Sequence, residues 1–193
     1  MKTMLFCTSY ASSEEAWNGR QQRWIDHHKQ MDLGDLWLFD DGSLAFRENP
    51  EVNFYRFEDN LGRPSHLEYP GWWRSFKEAY WTAEKHGYDK IIHVESDTFI
   101  LSRKLRDYLA SVSEGWVTTY CNMFSFPETQ IQVICKDQFP AFKKIAETPY
   151  EELKGKHAEH ILPFTNVLIG GFNGDRWPEQ GVTVLPQDAD YAC

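Results

Sequence analysis

No run of lysines or arginines occurs anywhere in the 193 residues, and 20 basic side chains face 29 acidic ones, a formal net charge of -9. A protein that grips phosphate backbone over a broad face needs the opposite balance, so nucleic acid is excluded as a partner. No stretch approaches the roughly 18 consecutive apolar residues of a membrane span, so no integral membrane segment is expected. Residues 1–8 hold one lysine and an apolar segment too short for a secretory signal. With no N-x-S/T site either, the expected location is the cytoplasm. The four cysteines, Cys7, Cys121, Cys135 and Cys193, lie far apart and form no C-x-x-C pair. That spacing disfavours a zinc knuckle and a disulfide framework, and the four read as reduced, mostly buried thiols. Internal repeats, low-complexity segments and linkers are also lacking.

What is present is core-forming material: 41% apolar residues, 16% aromatic residues and eight tryptophans. A chain of this length fits one domain with a full hydrophobic core. Residues 3–8 form a short apolar run followed by small polar residues, which predicts a strand ending in a turn. Ser12 and Glu15 have the spacing of a capping box, and Trp17, Trp24, Ile25, His28 and Met31 then recur at helical intervals. A second strand over 36–39 closes on Asp40-Asp41-Gly42-Ser43, a turn-forming cluster. Residues 52–57 alternate as a third strand, and 58–71 hold two prolines and two glycines, predicting a loop. Trp72, Phe76, Ala79, Tyr80 and Ala83 then form one helical stripe, with Gly87 placed for a left-handed cap.

The most informative stretch follows. Ile91, Ile92 and Val94 make a strand apolar on both faces, as in a central parallel strand covered by helices on two sides, and this predicts an α/β fold. Further strands are expected over 116–121, 130–135, 167–172 and 182–185, with helices over 139–147 and 151–160. Glu95 and Asp97, two apart at the carboxyl end of the buried strand, fall on one side of an extended backbone. Open α/β sheets bind ligands at that end of their strands. Two unpaired carboxylates there repel and raise one pKa, and a hard divalent cation relieves this by taking oxygen ligands. Mn²⁺ or Mg²⁺ completed by diphosphate oxygens suits the pair; capping of the next segment or pairing with arginine is the bland alternative. Asp40 and Asp41 can meet a ribose or base edge, although Asp-Gly is also ordinary turn chemistry.

Taken together, these residues resemble a nucleotide-diphospho-sugar transferase of the GT-A fold. Thr8-Ser9-Tyr10 matches that family's small polar loop after the first strand, and Asp40 to Ser43 its Asp-Asp-Gly-Ser after the second. Glu95-Ser96-Asp97 stands for its D-x-D triplet, with Glu in the first place. The match runs over residues 1 to about 100 and becomes general after Thr98. It implies a single domain over 1–193: a nucleotide-sugar and metal half, 1–100, and an acceptor half, 101–193, on a mixed, mostly parallel sheet flanked by helices. It implies that Thr8, Ser9 and Tyr10 line the nucleotide pocket, that Asp40 or Asp41 contacts base or ribose, and that Asp97 with Glu95 holds the metal. Since a sugar nucleotide is an anion meeting an acidic protein, basic residues must offset the field. Arg74 and Lys77, close on one helix, are the first candidates and Arg20 the next.

The implied activity is metal-dependent transfer of a sugar from a UDP- or GDP-linked donor to a carbohydrate or other hydroxyl acceptor. If the reaction inverts the anomeric centre, a carboxylate takes the acceptor's proton; Glu159 sits about where inverting relatives place that base, with Asp137 and Glu128 as competitors. A sugar nucleotidyltransferase is less well matched, because residues 7–11 lack its Gly-rich basic loop. A non-catalytic carbohydrate- or nucleotide-binding protein on the same fold is the alternative from another class. His157 and His160 share i, i+3 spacing but lack a close third ligand, which disfavours zinc.

Overall fold

The computed structural model of this chain describes residues 1–177 and 181–193. Its first strand, β1 (Thr3–Ser9), shows how both faces of the sheet become buried: Leu5 and Cys7 enter one core cluster, and Met4 and Phe6 enter the other. A helical rod follows, made of α1 (Glu14–Ala16), a π-helical stretch (Trp17–Gln22) and α2 (Arg23–His28). It packs Trp17, Trp24 and Ile25 against the Leu5 side. The cap falls one residue later than the Ser12 reading. Trp17 N donates to Ser13 O at 2.9 Å, so Ser13 is the cap, and its Oγ accepts from Ala16 N at 3.1 Å.

Next come β2 (Asp35–Asp40), β3 (Asn53–Arg56), α3 (Pro70–His86) and β4 (Lys90–Val94), with β3, β2, β1 and β4 all parallel. Proline opens α3 where its missing N–H costs nothing. Gly87, at φ +67°, closes it in the left-handed conformation the sequence predicts. Trp73, Phe76, Ala79, Tyr80 and Ala83 of α3 cover the Met4 and Phe6 face, and Trp72 is half-buried at its edge.

The chain continues through β5 (Phe99–Ile100), α4 (Arg103–Ser111), β6 (Trp116–Cys121), β7 (Phe126–Cys135) and α5 (Phe139–Glu147). It ends with α6 (Tyr150–Leu153), α7 (Ala158–Ile161), β8 (Asn166–Leu168), β9 (Gly174–Asp175) and β10 (Tyr191–Ala192). The main sheet has the order β3-β2-β1-β4-β7-β6-β8 with β7 antiparallel to both neighbours, and a small sheet has the order β5-β10-β9. This is the mixed, mostly parallel α/β architecture expected. All four cysteines are free thiols.

Three expected elements differ. The helix over 151–160 is two short ones, because Gly155 takes φ +76° between them. The strand over 167–172 stops at Leu168, ahead of Gly170 and Gly171, which both adopt positive φ. Residues 182–185 form no strand; Val184 is 81% exposed and, among the described residues, the segment pairs with no sheet edge.

Candidate active site

The carboxyl ends of the parallel strands open into a cavity of about 670 Å³. Thr8, Ser9 and Tyr10, where β1 ends, line it, as do Glu95 and Asp97 immediately after β4. Glu159 of α7 reaches the same cavity. Residues more than 60 positions apart therefore meet where α/β sheets leave their strand ends open. Glu95 is half-buried and Asp97 exposed.

An irregularity in β7 supplies the rest of the floor. Thr118 pairs with Gln132 but its neighbour Thr119 pairs with Glu128, so β7 bulges between these points. Glu128 and Thr129, on the bulge, face the cavity. Thr129 Oγ1 lies 3.0 Å from Glu95 Oε1 and 3.2 Å from Glu159 Oε1, so one hydroxyl stands between two carboxylates. Glu128 is fully buried and accepts from Nε and a terminal nitrogen of Arg176, both at 2.9 Å, the two-pronged geometry of a strong pair. Among the described residues no cation is shown in such a pair with Glu95. Burial first, then the nearby charges of Asp97 and Glu128, hold its carboxyl well above the usual carboxylate range, against a smaller opposing pull from Arg176.

The Asp-Asp-Gly-Ser turn ties loops together. Asp40 is buried; one oxygen accepts Ser43 N at 2.8 Å, the other receives the hydroxyls of Ser43 and Ser9, the latter at 3.3 Å. Ser43 Oγ in turn accepts Ala11 N at 2.7 Å, locking the polar loop after β1 to the turn after β2. Asp40 does not line the cavity, whereas Asp41 does. Asp41 Oδ2 accepts from Asn60 Nδ2, Leu61 N and Gly62 N at 2.8, 3.2 and 3.0 Å, and its other oxygen pairs with Arg74. Gly71 has to be glycine, since a Cβ there would collide with the Asp41 carboxylate.

The two basic residues first expected at a donor phosphate stand elsewhere. Arg74 is taken by Asp41 and Asp59, the latter at 2.8 Å, and Lys77 donates to the carbonyl of Thr148. Neither lines the cavity, whereas Arg20 does. Of the three carboxylates considered as a base, Glu159 and Glu128 line the cavity; Asp137 accepts Gly115 N at 3.0 Å away from it. Sequence reading overlooked Arg63, Thr129 and Arg176. Arg63 had one signal, a lone basic residue inside the Gly-Arg-Pro of a stiff loop. Arg176 and the bulge had none, because both depend on long-range pairing.

Glu95 and Asp97 are the pair that could take a divalent cation. Among the described residues no three His, Cys, Asp or Glu side chains stand together as a closed metal cage. An open two-carboxylate site completed by substrate oxygens and water is the coordination Mg²⁺ and Mn²⁺ commonly take.

Parallel strands β3, β2, β1 and β4 with paired acids at their carboxyl ends and an antiparallel extension beyond constitute the GT-A type of α/β fold. The chain is similar in structure to a glycosyltransferase involved in the glycosylation of the major capsid of PBCV-1, with a TM-score of 0.52 and 12% identity over 100% of this chain and 93% of that one. It is also similar to the galactosyltransferase LgtC in complex with donor and acceptor sugar analogues, with a TM-score of 0.58 and 10% identity over 98% and 86% of the two chains. An active-site mutant of LgtC superposes with a TM-score of 0.60. No family model matches the sequence, and no curated protein does.

Proposed function

We propose that this chain transfers a sugar from a nucleoside diphosphate sugar, UDP- or GDP-linked, to a hydroxyl acceptor, with Mn²⁺ or Mg²⁺ held by Glu95 and Asp97. One observation carries the reading: a single cavity gathers the β1 loop, the acidic pair after β4 and a third carboxylate, Glu159. The solved structures it resembles support the same chemistry, the LgtC structure by holding donor and acceptor sugar analogues.

Tyr10, 38% exposed beside Thr8 and Ser9, offers its ring to the base. Its backbone is fixed because Tyr10 O accepts Gln21 Nε2 at 3.1 Å. Glu95 and Asp97 would hold the cation, and a cation there would supply positive charge against the departing nucleoside diphosphate. For a transfer that inverts the anomeric centre, Glu159 takes the proton of the attacking hydroxyl, and Thr129 Oγ1, within hydrogen-bond distance, holds it in place. Glu128, committed to Arg176, is unavailable as that base and braces the cavity floor.

The test is a screen of sugar nucleotides for hydrolysis in the presence of Mn²⁺, with titration of UDP and GDP with and without the metal. Metal-linked binding and slow transfer to water are expected. No binding of either nucleotide would remove the reading, and binding without turnover on any donor or acceptor would favour a non-catalytic binding protein. Asp97 is exposed, so Asp97→Asn leaves the fold intact and is expected to abolish turnover and metal-linked binding. Full activity in that variant would show the metal assignment to be wrong.

A further inference from the structure

A donor diphosphate carries two negative charges into a cavity whose floor already holds Glu95, Asp97 and Glu159. A divalent cation answers only part of that, so a protein cation has to meet the phosphates. Three arginines line the cavity: Arg20, Arg63 and Arg176. Arg176 is committed to Glu128, with both prongs of its guanidinium at 2.9 Å. Arg20 projects from the π-helical stretch, and among the described residues no contact orients its side chain.

Arg63 differs. Among the described residues it pairs with no carboxylate, yet its guanidinium lies 5.6 Å from the centre of the Tyr69 ring. That ring is itself fixed, since Tyr69 Oη donates to Lys156 O and accepts Ala158 N, both at 2.8 Å. The backbone leading to Arg63 is pinned as well: Asp41 receives three donors from Asn60, Leu61 and Gly62, and Gly71 N donates to Gly62 O at 3.2 Å. A cation paired with no carboxylate on a held loop at the cavity wall is open to an anion, and the pinned backbone lowers the ordering cost of meeting one.

Resting on the sugar-nucleotide reading above, we propose that Arg63 is the side chain that meets the donor's diphosphate, and that Asp41 acts as a positioning residue by holding the 60–62 loop. Asp41 therefore works through Arg63 and makes no essential contact with ribose or base. This gives the second aspartate of the Asp-Asp-Gly-Ser turn a different role from direct nucleotide contact. It also explains why its carboxylate is already saturated by protein donors.

The probe is inorganic pyrophosphate with Mn²⁺, titrated calorimetrically, because it is independent of which base the donor carries. Arg63→Ala is expected to weaken pyrophosphate binding about tenfold to a hundredfold, the range for a hydrogen bond to a charged group. Arg63→Lys should recover part of the loss, and the melting temperature of both variants should match the parent. Asp41→Asn should weaken pyrophosphate too, and combining it with Arg63→Ala should add nothing further. Asn60→Ala loosens the same loop by removing one of the donors to Asp41 while keeping the aspartate itself; it is the substitute if Asp41→Asn does not fold, and the same lack of additivity is expected. Unchanged pyrophosphate affinity in Arg63→Ala would overturn the assignment while leaving the transferase reading standing. Full additivity would overturn the positioning role of Asp41. A parent protein that binds neither pyrophosphate nor any nucleoside diphosphate with Mn²⁺ would overturn the transferase reading and this inference with it.

Discussion

Lys90 opens β4 and is 2% exposed, a placement a lysine tolerates only with its charge answered. Its Nζ donates to Leu109 O at 3.1 Å, Ala110 O at 2.7 Å and Val112 O at 3.1 Å, closing the carboxyl end of α4 from below. An ammonium there meets both the orphan carbonyls of a helix end and the negative end of its dipole. Burial pushes the Lys90 pKa down, so these carbonyls compensate the lost hydration only in part. Lys90→Met keeps the stem's volume but leaves the carbonyls without their donor, a loss of about 1–3 kcal/mol. Urea unfolding at pH 7 measures it; an unchanged midpoint would mean that water replaces the ammonium. Arg74 shows the converse at this scale. Its position on α3 was visible in the sequence, but its partners Asp41 and Asp59 were not, because a local pattern cannot tell a cation kept for a ligand from one spent on a loop.

At the scale of elements, the small sheet deserves as much weight as the large one. β10 pairs antiparallel with β5, which follows the Glu95–Asp97 turn, and parallel with β9, which precedes Arg176. Asp190 strengthens the junction: its carboxylate accepts Asn173 N at 2.7 Å and the Ser102 hydroxyl, and its carbonyl accepts Leu101 N at 2.8 Å. Two loops of the cavity are thus joined by a strand of two residues. Gly174 makes the close approach possible, since a Cβ there would strike the ring of Tyr191. Gly174→Ala is expected to destabilise by about 1–3 kcal/mol, the usual cost of overpacking. It should also lower sugar-nucleotide hydrolysis by displacing Arg176 from Glu128. Melting temperature and hydrolysis rate, the latter measured where the variant is fully folded, check both halves. If hydrolysis stays at the parent level, Arg176 holds its place without the strand. None of this was legible beforehand, because β5, β9 and β10 are two residues each and carry no periodic signal. β1, β2 and β4 were legible because each is apolar enough on both faces to leave one reading, and the edge strand β3 because it alternates.

For the whole molecule, the same division explains how much of the cavity could be foreseen. Thr8, Ser9, Tyr10, Glu95 and Asp97 line it because strand ends are where the chain must turn, and turns are visible in the sequence. Thr129 and Arg63 arrive through a bulge and a pinned loop, which exist only once distant segments have paired. Burial of both sheet faces has a further consequence in acid. His28, enclosed beside Trp24, donates through Nδ1 to Trp24 O at 2.9 Å, while its Nε2 has no partner among the described residues. Burial, with a smaller push from His27, lowers its pKa to about 3. Its unfolded value is about 6.5, so between these limits the unfolded chain binds a proton that the folded one refuses. Stability is therefore independent of this group above pH 6.5 and falls as the pH drops below it, until the loss levels off near the folded value. The cost is about 1 kcal/mol at pH 5.5 and about 3 kcal/mol at pH 4.5. His28→Phe, which keeps the ring against Trp24, should remove that part of the decline. Urea midpoints at pH 7.5, 5.5 and 4.5 for both proteins make the comparison; parallel declines would mean that the imidazole takes up its proton without leaving the core.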